Sequence, residues 1–145
     1  MKIVLQRVNN ATVRVGDTIA GKIGRGYVAL LGIGAVDDEA TVNRAVEKIK
    51  KLRLFPDDEG KTNRSITDIK GELLVVSQFT LYADCKKGNR PSFTDAASPG
   101  RAEALYEYFI AAAKPNFAKV AHGSFGASMQ VELVNDGPFT MILEM

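Results

Sequence analysis

The stretch ELLVVSQFTLY, Glu72 to Tyr82, decides what kind of fold this chain adopts. Its leucines, valines and aromatics favour extended backbone, and consecutive apolar positions belong to a strand covered on both faces. The spacing predicts a core strand over 72–82 that carries a polar pair, Ser77-Gln78, in its middle. A second run, YVALLGI from Tyr27 to Ile33, predicts another buried central strand. Polar side chains flanked by apolar ones must find hydrogen-bond partners or face a cleft. For Ser77-Gln78-Phe79-Thr80, both readings are open.

Outward from these runs, Lys2 to Asn9 and Ala11 to Val15 read as strands, followed by a Gly16-Asp17 turn and a strand at Thr18 to Ile23. Asp37 or Asp38 can cap a helix in which Val42, Ala45, Val46, Ile49 and Leu52 form one apolar stripe, with Lys48, Lys50 and Lys51 toward water. Phe55-Pro56 is expected to end that helix, and Asp57 to Gly60 is a polar turn. Beyond the central run, Cys85 to Pro91 reads as a loop. Pro99 to Ala113 is a second amphipathic helix, with Leu105, Tyr106, Phe109 and Ile110 on one side. Met129, Val131 and Leu133 alternate with polar residues, as a half-buried strand does. Asn135-Asp136-Gly137-Pro138 reads as a turn before a last strand at Phe139 to Leu143. Repeats, linkers and low-complexity segments are absent. The expectation is one α+β domain over residues 1–145, with layered sheets, seven or eight strands and two main helices.

Composition narrows the chemistry. Hydrophobic residues make up 46% and charged residues 25% of the 145, as in ordinary globular proteins. No run is long enough to span a bilayer, and MKIVLQRVNN has no cleavable leader pattern, so a cytoplasmic protein without membrane contact is expected. The single cysteine, Cys85, permits no internal disulfide and no thiolate metal cluster. The single histidine, His122, disfavours the usual histidine-based hydrolytic centres. Gly24-Arg25-Gly26 and Gly32-Ile33-Gly34 lack both the full dinucleotide-binding spacing and a P-loop lysine, and read as turn glycines. Neither a metal nor an organic cofactor is expected. With a net charge of only +2, a nucleic-acid partner would need a local patch. Lys86, Lys87 and Arg90, within five residues of a glycine-containing loop, would suit phosphates, although such a run is usually a solvated face. The Gly137-Pro138 bond is of a type that can be cis.

Together these segments resemble the D-aminoacyl-tRNA deacylase family, also called the D-tyrosyl-tRNA deacylases. The resemblance runs from VLQRV (Val4 to Val8) through GKIGRG, KIKKLRLF and LVVSQFTLYAD (Leu74 to Asp84). It continues through KGNRPSFTDAA (Lys87 to Ala97) to FGASMQVELVNDGPFT (Phe125 to Thr140). SQFTL and Asn-x-Gly-Pro-x-Thr are the family's two signatures. The resemblance implies a carboxylic ester hydrolase acting on D-aminoacyl-tRNA, and on glycine mischarged onto alanine tRNA. It implies a homodimer in which Ser77, Gln78, Phe79 and Thr80 of one subunit meet a cis Gly137-Pro138 of the other. The two carbonyls there would exclude L-residues. Arg7, Asn135 and Thr140 would support the motif, and Lys86, Lys87 and Arg90 would contact tRNA. The chemistry would fall to backbone N–H groups near Phe79 and Thr80, helped by the 2′-hydroxyl of the terminal adenosine. Thr80 as a covalent nucleophile is the competing mechanism, and a non-catalytic RNA-binding module the competing function. The chain departs from the family pattern at Phe139, where valine is usual, and at Ser124 and Ser128.

Overall fold

The two apolar runs become neighbours. In the computed structural model, which describes residues 1–145, β3 (Gly26–Gly32) lies parallel to β6 (Glu72–Ser77), with Leu31 opposite Ser77. Tyr27, Ala29, Leu73 and Val75 point into one core, and Val28, Leu74 and Val76 into another. That alternation is what a strand with two covered faces requires.

Around this pair, β1 (Lys2–Val15), β2 (Thr18–Ile23), β7 (Lys119–His122) and β8 (Gln130–Glu144) complete a six-stranded sheet. Its order is β2-β1-β3-β6-β7, with β8 on β1. Strands β2 and β3 run end to end along β1, placing Ile23 opposite Ala11 and Gly26 opposite Val8. Register irregularities at Val13/Arg14 and between Val8 and Asn10 bend the sheet. It curls until β2 reaches β7, where a Cβ on Gly21 would lie 2.8 Å from the carbonyl oxygen of His122. Only a residue without a side chain fits that seam. The result is a nearly closed sheet with a small core inside the curl, made by residues such as Val8, Val13, Ile23 and Leu74.

The larger core lies outside the curl, beneath α1 (Glu39–Lys51) and α2 (Pro99–Ala113). Val42, Val46 and Ile49 of α1 and Leu105, Phe109 and Ile110 of α2 are buried there, on the stripes their spacing predicts. Asp38 caps α1 by accepting the Thr41 N–H at 2.8 Å. Asp37 is buried instead, and its carboxylate accepts from the Gly34 N–H and the Met1 amine, each at 2.6 Å. The architecture is a single α+β domain with two helices.

Several expected boundaries are corrected. The strand expected over 72–82 stops at Ser77, so Ser77-Gln78 marks its end rather than its middle. Gln78 (φ −144, ψ 80) leads the chain into one 3₁₀ turn, Phe79–Tyr82, and its N–H makes a last ladder bond to Leu31 at the end of β3. The segments before and after Asn10 are one strand. Asn135 to Pro138 is no turn between strands: β8 continues across it as a bulge, since β1 pairs with it on both sides of the motif. Helix α1 ends at Lys51, and Arg53–Pro56 forms β4, paired with β5 (Thr62–Ser65) in a small hairpin. No helix is long and apolar enough to cross a membrane.

Candidate active site

The end of β6 delivers its last residues to the mouth of a cavity. Ser77, Gln78 and Phe79 line a space of about 580 Å³ together with Leu31, Phe93, Phe125 and Met129, and most of its wall is hydrophobic. Ser77 and Gln78 are half-buried, whereas Phe79 and Thr80 are exposed. The Phe79 ring meets Phe93 edge-on at 5.0 Å between centroids. The Gln78 amide donates to the Thr80 hydroxyl at 2.5 Å. As the first two residues of the 3₁₀ turn, Phe79 and Thr80 have N–H groups without an acceptor inside the turn, and both residues are exposed. An apolar cavity with main-chain donors at its edge can hold a flat ligand and an oxygen that develops negative charge.

Two carbonyls behind this rim are tied to α2. The buried Tyr106 hydroxyl donates to the carbonyl of Val75 at 2.9 Å and reaches that of Gly123 at 3.3 Å. Burial pushes the Tyr106 hydroxyl up to about 12. Val75 also accepts the Gly123 N–H at 3.0 Å, so the approaches to Ser77 and to Phe125 are fixed against each other. Burial likewise raises Tyr82, at the far end of the turn, to about 12, with Asp37, Glu144 and Asp95 adding smaller contributions.

The second group forms around β8. Its pairing with β1 jumps from Thr140 opposite Gln6 to Asn135 opposite Val8, so four residues bulge out across from Arg7. Within the bulge the Gly137-Pro138 peptide is cis and Gly137 has φ +146. The Asn135 and Thr140 side chains close the loop. Asn135 Oδ1 accepts the Phe139 N–H at 2.6 Å, and its Nδ2 donates to Thr140 Oγ1 at 3.1 Å. The spacing of Asn135 and Thr140 is therefore the span of the bulge. Arg7 braces it from behind, donating from Nε to the Asp136 carbonyl at 2.9 Å and from Nη1 to the Leu54 carbonyl at 2.6 Å. Its guanidinium lies 4.9 Å from the centre of the Phe139 ring, so Phe139 adds a cation–π contact to the brace.

Within one chain these two groups stay apart: Gly137, Pro138, Arg7, Asn135 and Thr140 do not line the cavity. Lys86, Lys87 and Arg90 are exposed on the loop after the turn, and no ion pair uses them. His122 is exposed and its Nδ1 bonds the Gly123 carbonyl at 2.9 Å, while Cys85 is exposed on the basic loop; neither lines the cavity. Ser124 and Ser128 are exposed as well. The wall residues Phe93 and Phe125, and Tyr106 behind them, carry no sequence signal of their own, because apolar residues in loops and on a helix read as packing.

A model of the family described as D-Tyr-tRNA(Tyr) deacylase matches residues 4–144. The chain belongs to that family. Among relatives named D-aminoacyl-tRNA deacylase, the one from Rhodopirellula baltica is 52% identical, covering 100% of both chains. The one from Thermosipho melanesiensis is 51% identical, covering 99% of this chain and 97% of its own. A solved structure described as a c-Myc DNA unwinding element binding protein is 42% identical, with a TM-score of 0.94 over 100% of this chain and 99% of that one. Another, described as a probable eukaryotic D-amino acid tRNA deacylase, shares the fold at 16% identity, with a TM-score of 0.88 over 99% and 98% of the chains. In this member of the D-Tyr-tRNA(Tyr) deacylase family, Ser77, Gln78 and Phe79 of SQFTL line the cavity and Asn-x-Gly-Pro-x-Thr forms the braced bulge on β8.

Proposed function

We propose that this chain is a D-aminoacyl-tRNA deacylase, hydrolysing the ester between a D-amino acid and the terminal ribose of tRNA. Membership of the deacylase family over nearly the whole chain carries the reading, and the geometry of the rim supports it. An aminoacyl ester is already activated, so positioning it and polarising its carbonyl supplies much of the rate. The N–H groups of Phe79 and Thr80, which have no acceptor inside the turn, would receive the carbonyl oxygen as it becomes an oxyanion. The wall of Phe79, Phe93 and Phe125 suits a stacked terminal base, which would bring the ribose to the rim. The neighbouring 2′-hydroxyl would then orient or deprotonate the attacking water, so that the protein need not supply a histidine. Thr80, with only the Gln78 amide against its hydroxyl, has no base to make it a nucleophile.

Handedness would be read by exclusion. In this reading the chain is a homodimer, and the bulge at Gly137-Pro138 of one copy closes the pocket beside Phe79 and Thr80 of the other. Two main-chain carbonyls near the substrate α-carbon would leave room for hydrogen on one side only and accept from its ammonium group. D-residues and glycine would then fit, including glycine mischarged onto alanine tRNA, and an L-side chain would collide. Lys86, Lys87 and Arg90 would hold the acceptor stem through phosphates. The alternative is a nucleic-acid-binding module without chemistry. Incubating D-Tyr-tRNA and L-Tyr-tRNA with the protein separates the two: the D-ester is lost preferentially if the proposal holds, and equal survival of both esters refutes it.

A further inference from the structure

Gly32-Ile33-Gly34 is not a nucleotide-binding loop, and neither glycine has a positive φ, so conformation does not explain them. Close approach does. A Cβ on Gly32 would lie 3.0 Å from the Leu81 Cβ and 3.2 Å from the Gln78 carbonyl oxygen. A Cβ on Gly34 would lie 2.5 Å from the Tyr82 hydroxyl and 2.8 Å from its Cζ. Both contacts are to the stretch that carries Phe79 and Thr80. We propose that Gly32 and Gly34 are positioning residues: the end of β3 is stripped of side chains so that the 79–82 turn can lie directly on it, with Tyr82 pinning the far end.

The surroundings leave the β3 end little freedom to retreat. Just before Gly32, the Leu31 carbonyl accepts the Gln78 N–H at 2.8 Å. On the other side, Gly34 bridges Ala96, and Ile33 accepts the Ala97 N–H at 2.9 Å. A methyl at Gly32 meets a Cβ and a main-chain oxygen, neither of which can rotate away, so the turn must give by a few tenths of an ångström. A methyl at Gly34 meets a side chain, so removing that side chain relieves it. Leu81 N–H to the Gln78 carbonyl at 3.3 Å and Ala83 N–H to the Thr80 carbonyl at 3.0 Å hold the turn's shape, and the Phe79–Phe93 contact and the Gln78 amide on the Thr80 hydroxyl hold its outer side. The floor sets where the turn as a whole sits, and with it where the Phe79 and Thr80 N–H groups lie.

The inference rests on the reading that this rim performs deacylation, and two readouts keep the questions separate. Single-turnover hydrolysis of D-Tyr-tRNA is expected to slow by about tenfold or more in Gly32→Ala. Because Phe79 belongs to the cavity wall and moves with the turn, substrate affinity is expected to weaken as well, but by less than the rate. Amide exchange at Leu81 and Ala83 is expected to quicken while that at Val28 and Leu74 does not. Gly34→Ala is expected to do the same, and its effect to shrink to a small fraction when combined with Tyr82→Ala, measured against Tyr82→Ala alone. Unchanged rate and exchange in Gly32→Ala overturn the proposal, as does a Gly34→Ala loss that persists undiminished in the Tyr82→Ala background. If Gly32→Ala does not fold, the Gly34 and Tyr82 pair decides by the same criterion. If the unsubstituted protein fails to deacylate, the functional reading falls, and the exchange measurements alone judge the floor.

Discussion

Gly137 is confined both by its backbone conformation and by its neighbours. Its φ of +146 belongs to a region that side chains rarely enter. A Cβ there would also lie 2.9 Å from the Phe139 nitrogen and 3.3 Å from Arg7 Nη2. Both are parts of the brace, so the methyl of Gly137→Ala cannot be absorbed without moving Arg7 or the bulge. The expected cost is on the order of 1–3 kcal/mol in stability, read as a lower urea midpoint. If the bulge closes the pocket of a second copy, its displacement should also slow D-Tyr-tRNA hydrolysis by about a hundredfold. Parent-like rates in a folded Gly137→Ala variant would remove the bulge from the mechanism.

At the scale of elements, α2 acts on the sheet through one hydroxyl. Tyr106 is protonated in its bond to Val75, and burial holds its pKa at about 12, above the value near 10 expected of an unfolded chain. A raised value means that the folded state keeps its proton longer. The associated stability is whole below about pH 10 and is lost as pH rises through about 12. Tyr106→Phe should flatten this alkaline decline in urea midpoint without abolishing it, since Tyr82 is raised to a similar value. An equally steep decline in the variant would show that the Tyr106 hydroxyl is not the group responsible. The basic loop is the other testable element. Reversing the charge of Lys86 and Lys87 should weaken tRNA binding and reduce the slope of log affinity against log salt. An unaltered slope would place the RNA surface elsewhere. Elements with a clean period were legible from sequence: the stripes of α1 and α2, and the doubly buried β3 and β6. What escaped lacked a period. Strand β7 and the β4-β5 hairpin are four residues each, too short to show one. The end of β6 was overrun because Phe79, Leu81 and Tyr82 are as apolar as a strand, yet the chain there closes 3₁₀ bonds, Leu81 N–H to Gln78 and Ala83 N–H to Thr80, in place of a ladder. Asn135 to Pro138 has turn chemistry, yet lies inside a strand because β1 continues opposite it. Of the candidate site, the rim and the motif were visible in SQFT and Asn-x-Gly-Pro-x-Thr, whereas the aromatic wall was not.

Over the whole molecule, the proposed mechanism calls for a second copy, because the bulge of one chain does not line its own cavity. Strand β8 pairs only with β1, which leaves its other edge free, and Val134 and Ile142 on it are 50% and 71% exposed. A long free edge with apolar side chains is a surface that proteins ordinarily cover, and a second copy would cover it symmetrically. If the bulge of one copy closes the pocket of the other, a chain with a damaged rim and a chain with a damaged bulge should complement each other. Phe79→Pro removes one rim donor at the start of the turn, where proline is tolerated, and Gly137→Ala damages the bulge. Each homodimer would then be impaired at both sites. After unfolding and refolding an equal mixture, half of the dimers would be mixed, and one site in each would combine an intact rim with an intact bulge. Activity should return to about a quarter of the parent level. A site built within one chain would be damaged in every subunit of the mixture, and refolding would restore nothing.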